Sequence, residues 1–174
     1  MNAGDELLKP FMDMRAAWAK RRKGLTGHAG TPGAVVAVNY YRHPVSTAVY
    51  SAERTGRAVV VDRILDGDEI QAYVDEVLSM PWPRWLGGTT GVRVILQLED
   101  GYAGYRPGEL RCPSPVRELV VLHELAHCFT YPIAGTLDHS PPFVAAYLDL
   151  IARVMNPAAA QVFSDAFTTA GVGA

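Results

Sequence analysis

An α+β fold, a small twisted sheet packed against helices, is what the sequence predicts, and three observations carry it. Strand-like segments fall between about residues 34 and 112, whereas from Ser114 the chain reads as helical almost to its end. Strands and helices do not alternate as in a regular βαβ array, and no internal repeat is visible. The 174 residues are 49% hydrophobic and 20% charged, enough for one domain (1–174) with a real core.

The elements follow from local chemistry. Leu7, Leu8, Phe11, Met14 and Trp18 recur at helical spacing and predict a helix over about 5–23, ending in the run Lys20-Arg21-Arg22-Lys23, where cations complement the helix dipole. Gly27, Gly30 and Pro32 mark a flexible connector over about 24–33. The β-branched and aromatic run Ala34–Tyr41 predicts a strand, and Arg57–Asp62 a second. Asp66 or Asp68 is placed to cap a helix reaching about Met80, with Ile70, Tyr73, Val74 and Val77 on its buried stripe. Val92, Val94, Leu96 and Leu98 alternate as one face of a strand, and a further extended piece lies around Glu109–Cys112. Ser114 as N-cap and Pro115 at the first helical position predict a helix that stops at Tyr131-Pro132.

Composition excludes several functions. A net charge of −2 does not indicate a globally basic nucleic-acid binder. Cys112 and Cys128 are too few for a disulfide framework or an all-cysteine zinc ribbon, and suit a reducing cytosol. Met1–Pro10 carries Asp5 and Glu6 and no apolar run, and no window approaches a membrane span, so the expectation is a cytoplasmic protein without membrane contact.

Chemistry concentrates at His123-Glu124-Leu125-Ala126-His127, an HExxH sequence inside the predicted helix. Residues four apart stand above one another on a helix, so two neutral imidazoles can share one Zn²⁺, and Glu124 has the reach to take a proton from water that the metal activates. A chain of this composition contains such a motif by chance in roughly 0.6% of cases, so the motif is read as chemistry. Zinc needs a third protein ligand. No glutamate follows Glu124, and Thr130 and Ile133 stand where a metzincin pattern has Gly and His. His139, at the start of a helix opened by Ser140-Pro141-Pro142-Phe143, or an aspartate (Asp138, Asp149 or Asp165) remains, and His139 is favoured because a returning helix brings its ring over the first two.

HELAH followed by His139-Ser140-Pro141-Pro142-Phe143 resembles the HExxH…HGPxF pairing of SprT-like zinc metallopeptidases. The chain is closer still to small HExxH metallohydrolases of actinobacteria and their phages, sharing Val49-Tyr50-Ser51-Ala52-Glu53 and Leu122–His127. The likeness spans about residues 45–170 and is strongest over 116–148. It implies a zincin-like fold, His123, His127 and His139 as zinc ligands and Glu124 as general base. Ser140 replaces the usual SprT-like glycine, and no downstream cysteine ribbon follows.

Other residues are assigned lesser roles. Cys128 is read as a buried free thiol, and His28 and His43 have no partner at metal spacing. Tyr105, Tyr131 or Tyr147 could stabilise an oxyanion, Asp149 could accept an imidazole N–H, and Pro81–Trp85 could wall a cleft. The expected activity is zinc-dependent hydrolysis, foremost of peptide bonds, with an extended peptide or protein substrate pairing to Val92–Leu98 or the Glu109–Cys112 piece as an edge strand. The alternative is a non-catalytic, zinc-braced binding or assembly protein, or a phage-encoded inhibitor of a host factor. A protease acting near DNA through residues 20–23 is a third, weaker option.

Overall fold

The computed structural model describes residues 44–82, 91–97, 103–134 and 137–172. All of them belong to one unit of the chain, Asn39–Ala174. The helix expected over 5–23, the connector over 24–33, the strand over 34–41, His28, His43 and Pro83–Trp85 lie outside the described residues.

Helix α1 spans Pro44–Arg57 and buries only Ser46, Val49, Ala52, Glu53 and Gly56, a stripe at helical spacing. Strand β1 is Ile64–Leu65, α2 is Glu69–Ser79, β2 is Arg93–Leu96, β3 is Gly104–Arg106, β4 is Glu109–Cys112 and β5 is Val116–Arg117. Helix α3 covers Glu118–Ala134 and α4 covers Pro141–Leu150; a π-helical turn, Ile151–Met155, leads into α5, Pro157–Thr169. The architecture is therefore α+β.

Two small sheets lie beside the helices. In one, β4 is central, parallel to β2 and antiparallel to β3, with Val94 opposite Leu110 and Tyr105 opposite the same Leu110. In the other, β1 and β5 pair antiparallel, Leu65 against Val116. The shared core runs from Val49 and Ala52 through Ile70, Val74 and Val77 to Leu119, Leu122, Leu125, Phe143, Tyr147 and Phe163. No described helix is long and apolar enough to cross a membrane.

Four expectations are corrected. Arg57–Asp62 is no strand: Arg57 ends α1, residues 58–60 turn, and Val59 and Val61 are 70% and 90% exposed. Ser114 and Pro115 do not start α3, because Val116 and Arg117 are held extended against β1. The Ser114 hydroxyl instead accepts the Gly67 N–H at 2.8 Å and donates to Asp66, and the α3 N-terminus is satisfied from the β1 side, Glu118 N–H to the Arg63 carbonyl (2.9 Å) and Leu119 N–H to Asp62 Oδ1 (3.0 Å). Pro132 does not end α3, which runs to Ala134; so close to the end it removes one intrahelical bond, while every residue from Val121 to Thr130 is buried. Finally, the Val92–Leu98 strand is shorter than expected and Leu96 is 42% exposed.

Sheet edges are also redistributed. Glu109–Cys112 cannot receive a peptide, since both its sides are paired. The outer side of β2 is occupied by Gln71 of α2, whose amide accepts the Val94 N–H at 2.7 Å and donates to the Val92 carbonyl at 3.0 Å. That leaves β3. The bonds Arg93 N–H to Gly108 O and Gln97 N–H to Cys112 O set Gly108 and, on β4, Leu110 and Cys112 facing β2. Residues 109 and 111 then face β3, and Tyr105, opposite Leu110, turns its N–H and C=O outward.

Candidate metal centre

Helix α3 places His123 and His127 one turn apart on one face, and the residue before the α4 N-cap Ser140 brings in His139. The three ring centroids form a nearly equilateral triangle with sides of 5.1, 5.0 and 5.0 Å. One ligand atom from each lies within 4.8 Å of the others, and His123 Nε2 and His139 Nε2 are 3.1 Å apart. Three imidazoles about 2.0–2.1 Å from one tetrahedral ion would have centroids about 5.2 Å apart, so the triangle fits a metal ion. Phe143 caps it from α4, its centroid 4.4–4.8 Å from each imidazole. His123, His127, His139 and Glu124 are all at most 7% exposed.

The protonation pattern suits coordination. Burial, with the charge on His123, holds His139 down at about 4; burial and both neighbouring imidazoles hold His127 well below its usual value. Both are therefore neutral, the form that binds metal. Burial pushes His123 down as well, but the Glu53 carboxylate 2.5 Å from Nδ1 outweighs it and raises the imidazole overall. In turn, burial would push Glu53 up, and His123 with Arg57 more than compensates, leaving it below the ordinary carboxylate range. His123 Nε2 and His139 Nε2 face each other at 3.1 Å, close to the separation of two nitrogens sharing one tetrahedral ion.

Glu124 differs from Glu53. Burial raises its carboxyl, the Glu53 charge adds to that, and His123 and a hydrogen bond from the Tyr105 backbone offset it only in part. Its carboxylate thus meets the outward N–H of β3.

Of the aspartates considered as third ligands, none joins the cluster. Asp138 accepts the Ser140 N–H, Asp165 accepts from Gln161, and Asp149 is taken by Arg153 Nε at 2.8 Å, which also removes it as an imidazole acceptor. Tyr147 is spent on the Leu119 carbonyl and Tyr105 accepts from Gly108 N–H, its hydroxyl held up to about 12 by burial and Cys128. Tyr131 is half-buried beside Tyr105. Trp82 packs on Phe129 and donates to the Val77 carbonyl. Both cysteines are buried and outside any disulfide.

Sequence reasoning assigned no role to three residues of α1. Glu53 bonds His123 Nδ1, the Ser46 hydroxyl is 3.1 Å from His139 Nδ1, and the Tyr50 ring stacks on His123 (5.7 Å, 15°) and meets His139 edge-on (5.0 Å). The available signal was spacing: Ser46, Tyr50 and Glu53 stand at i, i+4 and i+7 on one helical face. No protein-family model, curated protein or solved structure matches this chain.

Proposed function

We propose that this chain is a cytoplasmic zinc-dependent hydrolase of the zincin type, related to the small HExxH metallohydrolases its motif resembles, and that it cleaves peptide bonds. The observation that carries the reading is the equilateral triangle of buried imidazoles with Glu124 on the same helix. Among the described residues the cluster comprises three side chains, which leaves a tetrahedral ion one open position, as catalytic sites have and structural sites lack. Two buried cysteines outside any disulfide suit a reducing compartment.

His123, His127 and His139 would hold the ion. Bound there, zinc supplies Lewis acidity and brings the pKa of water down to about 7. Glu124 takes the proton from the attacking water and hands it to the leaving amine; a carboxyl raised by burial is better matched to that exchange near neutrality than an ordinary one. A peptide as substrate follows from the motif's resemblance and not from an open strand, since Gln71 covers the outer side of β2 and Glu124 takes the outward N–H of Tyr105 on β3.

Glu124→Gln tests this. The variant is expected to retain one equivalent of zinc by elemental analysis and to lose hydrolysis of unstructured protein and peptide-library substrates. Wild-type turnover by the variant would eliminate the mechanism.

A further inference from the structure

The nitrogen of an imidazole that faces away from an ion decides where the other nitrogen points. In this site those rear contacts come from one helix. A carboxylate only accepts, so Glu53 Oε1 at 2.5 Å fixes the proton of His123 on Nδ1 and directs its Nε2 into the triangle. Ser46 Oγ, 3.1 Å from His139 Nδ1, holds the rear of the ring whose Nε2 lies opposite; a hydroxyl can donate or accept, so it fixes that ring's aim and not its tautomer. Ser46 and Glu53 are both 3% exposed, so neither bond competes with bulk water. Arg57 Nη2, 3.4 Å from Glu53 Oε2, steadies the carboxylate from one turn along. Tyr50, between them on the same stripe, lies against both rings and blocks their rotation. The third ring is different: His127 Nδ1 is buried with no hydrogen-bond partner among the described residues.

We propose that α1 is the ion-positioning helix of this site, with Glu53 setting the tautomer and aim of His123 and Ser46 the aim of His139, while His127 has no such partner on its Nδ1 among the described residues. The inference rests on the reading of the three histidines as metal ligands. It extends that reading by assigning most of the site's preorganisation to a helix that supplies no ligand.

Full-length protein would be titrated with Zn²⁺ against a competing chelator, and with Co²⁺ while its visible ligand-field bands are recorded. Removing an outer partner of a ligating histidine costs about 10–100-fold in metal affinity, and that loss is expected for Glu53→Ala, with altered Co²⁺ bands. Ser46→Ala should lose less, and Ser46→Thr, which restores the hydroxyl, should recover wild-type affinity. Circular dichroism of the metal-free variants checks the fold. Should Glu53→Ala not fold, Glu53→Gln decides, since it keeps the volume and drops the charge. Wild-type affinity and an unchanged Co²⁺ spectrum in the Glu53 variants would overturn the proposal while leaving the hydrolase reading intact. Failure of the wild-type protein to take up either metal would overturn both.

Discussion

Helices α1 and α3 face the same three imidazoles and are built on opposite principles. In α3 every residue from Val121 to Thr130 is buried, so its histidines sit on a rod held from all sides by apolar packing, with Leu119, Leu122 and Leu125 fully enclosed. In α1 a single stripe is buried, and three of its five members are a serine, a glutamate and a glycine. Apolar packing is non-directional and resists any displacement, whereas a buried carboxylate is tolerable only with its partners in place. Glu53 has them: His123 and Arg57 keep it ionised despite its burial. The contrast assigns rigidity to one helix and orientation to the other, and it predicts that damage to each will be felt differently.

The largest effect is expected at Gly56. A Cβ there would come 2.8 Å from Phe163 Cζ, and that ring is fully buried on α5, so either the ring or α1 must shift. Overpacking of this kind costs about 1–3 kcal/mol. Because Glu53 lies less than one turn from Gly56, Gly56→Ala should lose metal affinity together with stability. Urea unfolding of the metal-free variant and a zinc titration measure the two separately. A stability loss with affinity untouched would mean that α1 yields at its C-terminal end only and does not carry the orientation assigned to it.

The second effect is on pH. Metal must displace the proton that His123 holds, and the raised pKa of that ring keeps the proton in place to higher pH than an ordinary histidine would. His127 and His139 are already neutral, His139 down to about 4. The sign follows: affinity should fall about tenfold for each pH unit below the raised His123 value, be flat above it, and steepen only towards pH 4, where His139 joins. Zinc titrations in buffers of different protonation enthalpy should show one proton released per ion. In Glu53→Gln the plateau should begin at lower pH, because the charge that raises His123 is gone. Release of two or three protons near neutrality would contradict the asymmetry between His123, paired with a carboxylate, and the other two rings.

The two helices also differ in how far they could be read from sequence. Helix α3 and its histidines were legible because the signal is local: the four-residue spacing and the apolar stripe lie within a few turns. His139 was legible because Ser140-Pro141 opens the next helix. The role of α1 was not. Ser46 and Glu53 act on rings 93 and 70 residues away, and no local pattern predicted a helix over 44–57, where residues 49–53 entered only through a resemblance. Arg57–Asp62 misread as a strand for a related reason: Val59, Val60 and Val61 have β propensity, but the segment has no partner strand and exposes two of the three. Ser114 made a plausible cap by local rules, and the pairing of Val116 with Leu65 overrode it.

The smallest effect separates the two helices most cleanly. Asp62, just beyond α1, caps α3: its Oδ1 accepts the Leu119 N–H at 3.0 Å, while Oδ2 lies 3.8 Å from Arg117. Removing a side-chain cap costs about 1 kcal/mol, and in a chain of this size that lowers the melting temperature by roughly 2–4 °C. Asp62→Ala should show that loss by calorimetry, and Asp62→Asn, which keeps an acceptor oxygen, should show less. Zinc affinity should not change in either, because His123 lies a full turn inside the helix and its aim is set by Glu53 across the site, not by the end of α3. An affinity that fell in step with the melting temperature would show that fraying at the α3 terminus reaches the imidazoles, and the division of labour between a rigid helix and an orienting one would have to be abandoned.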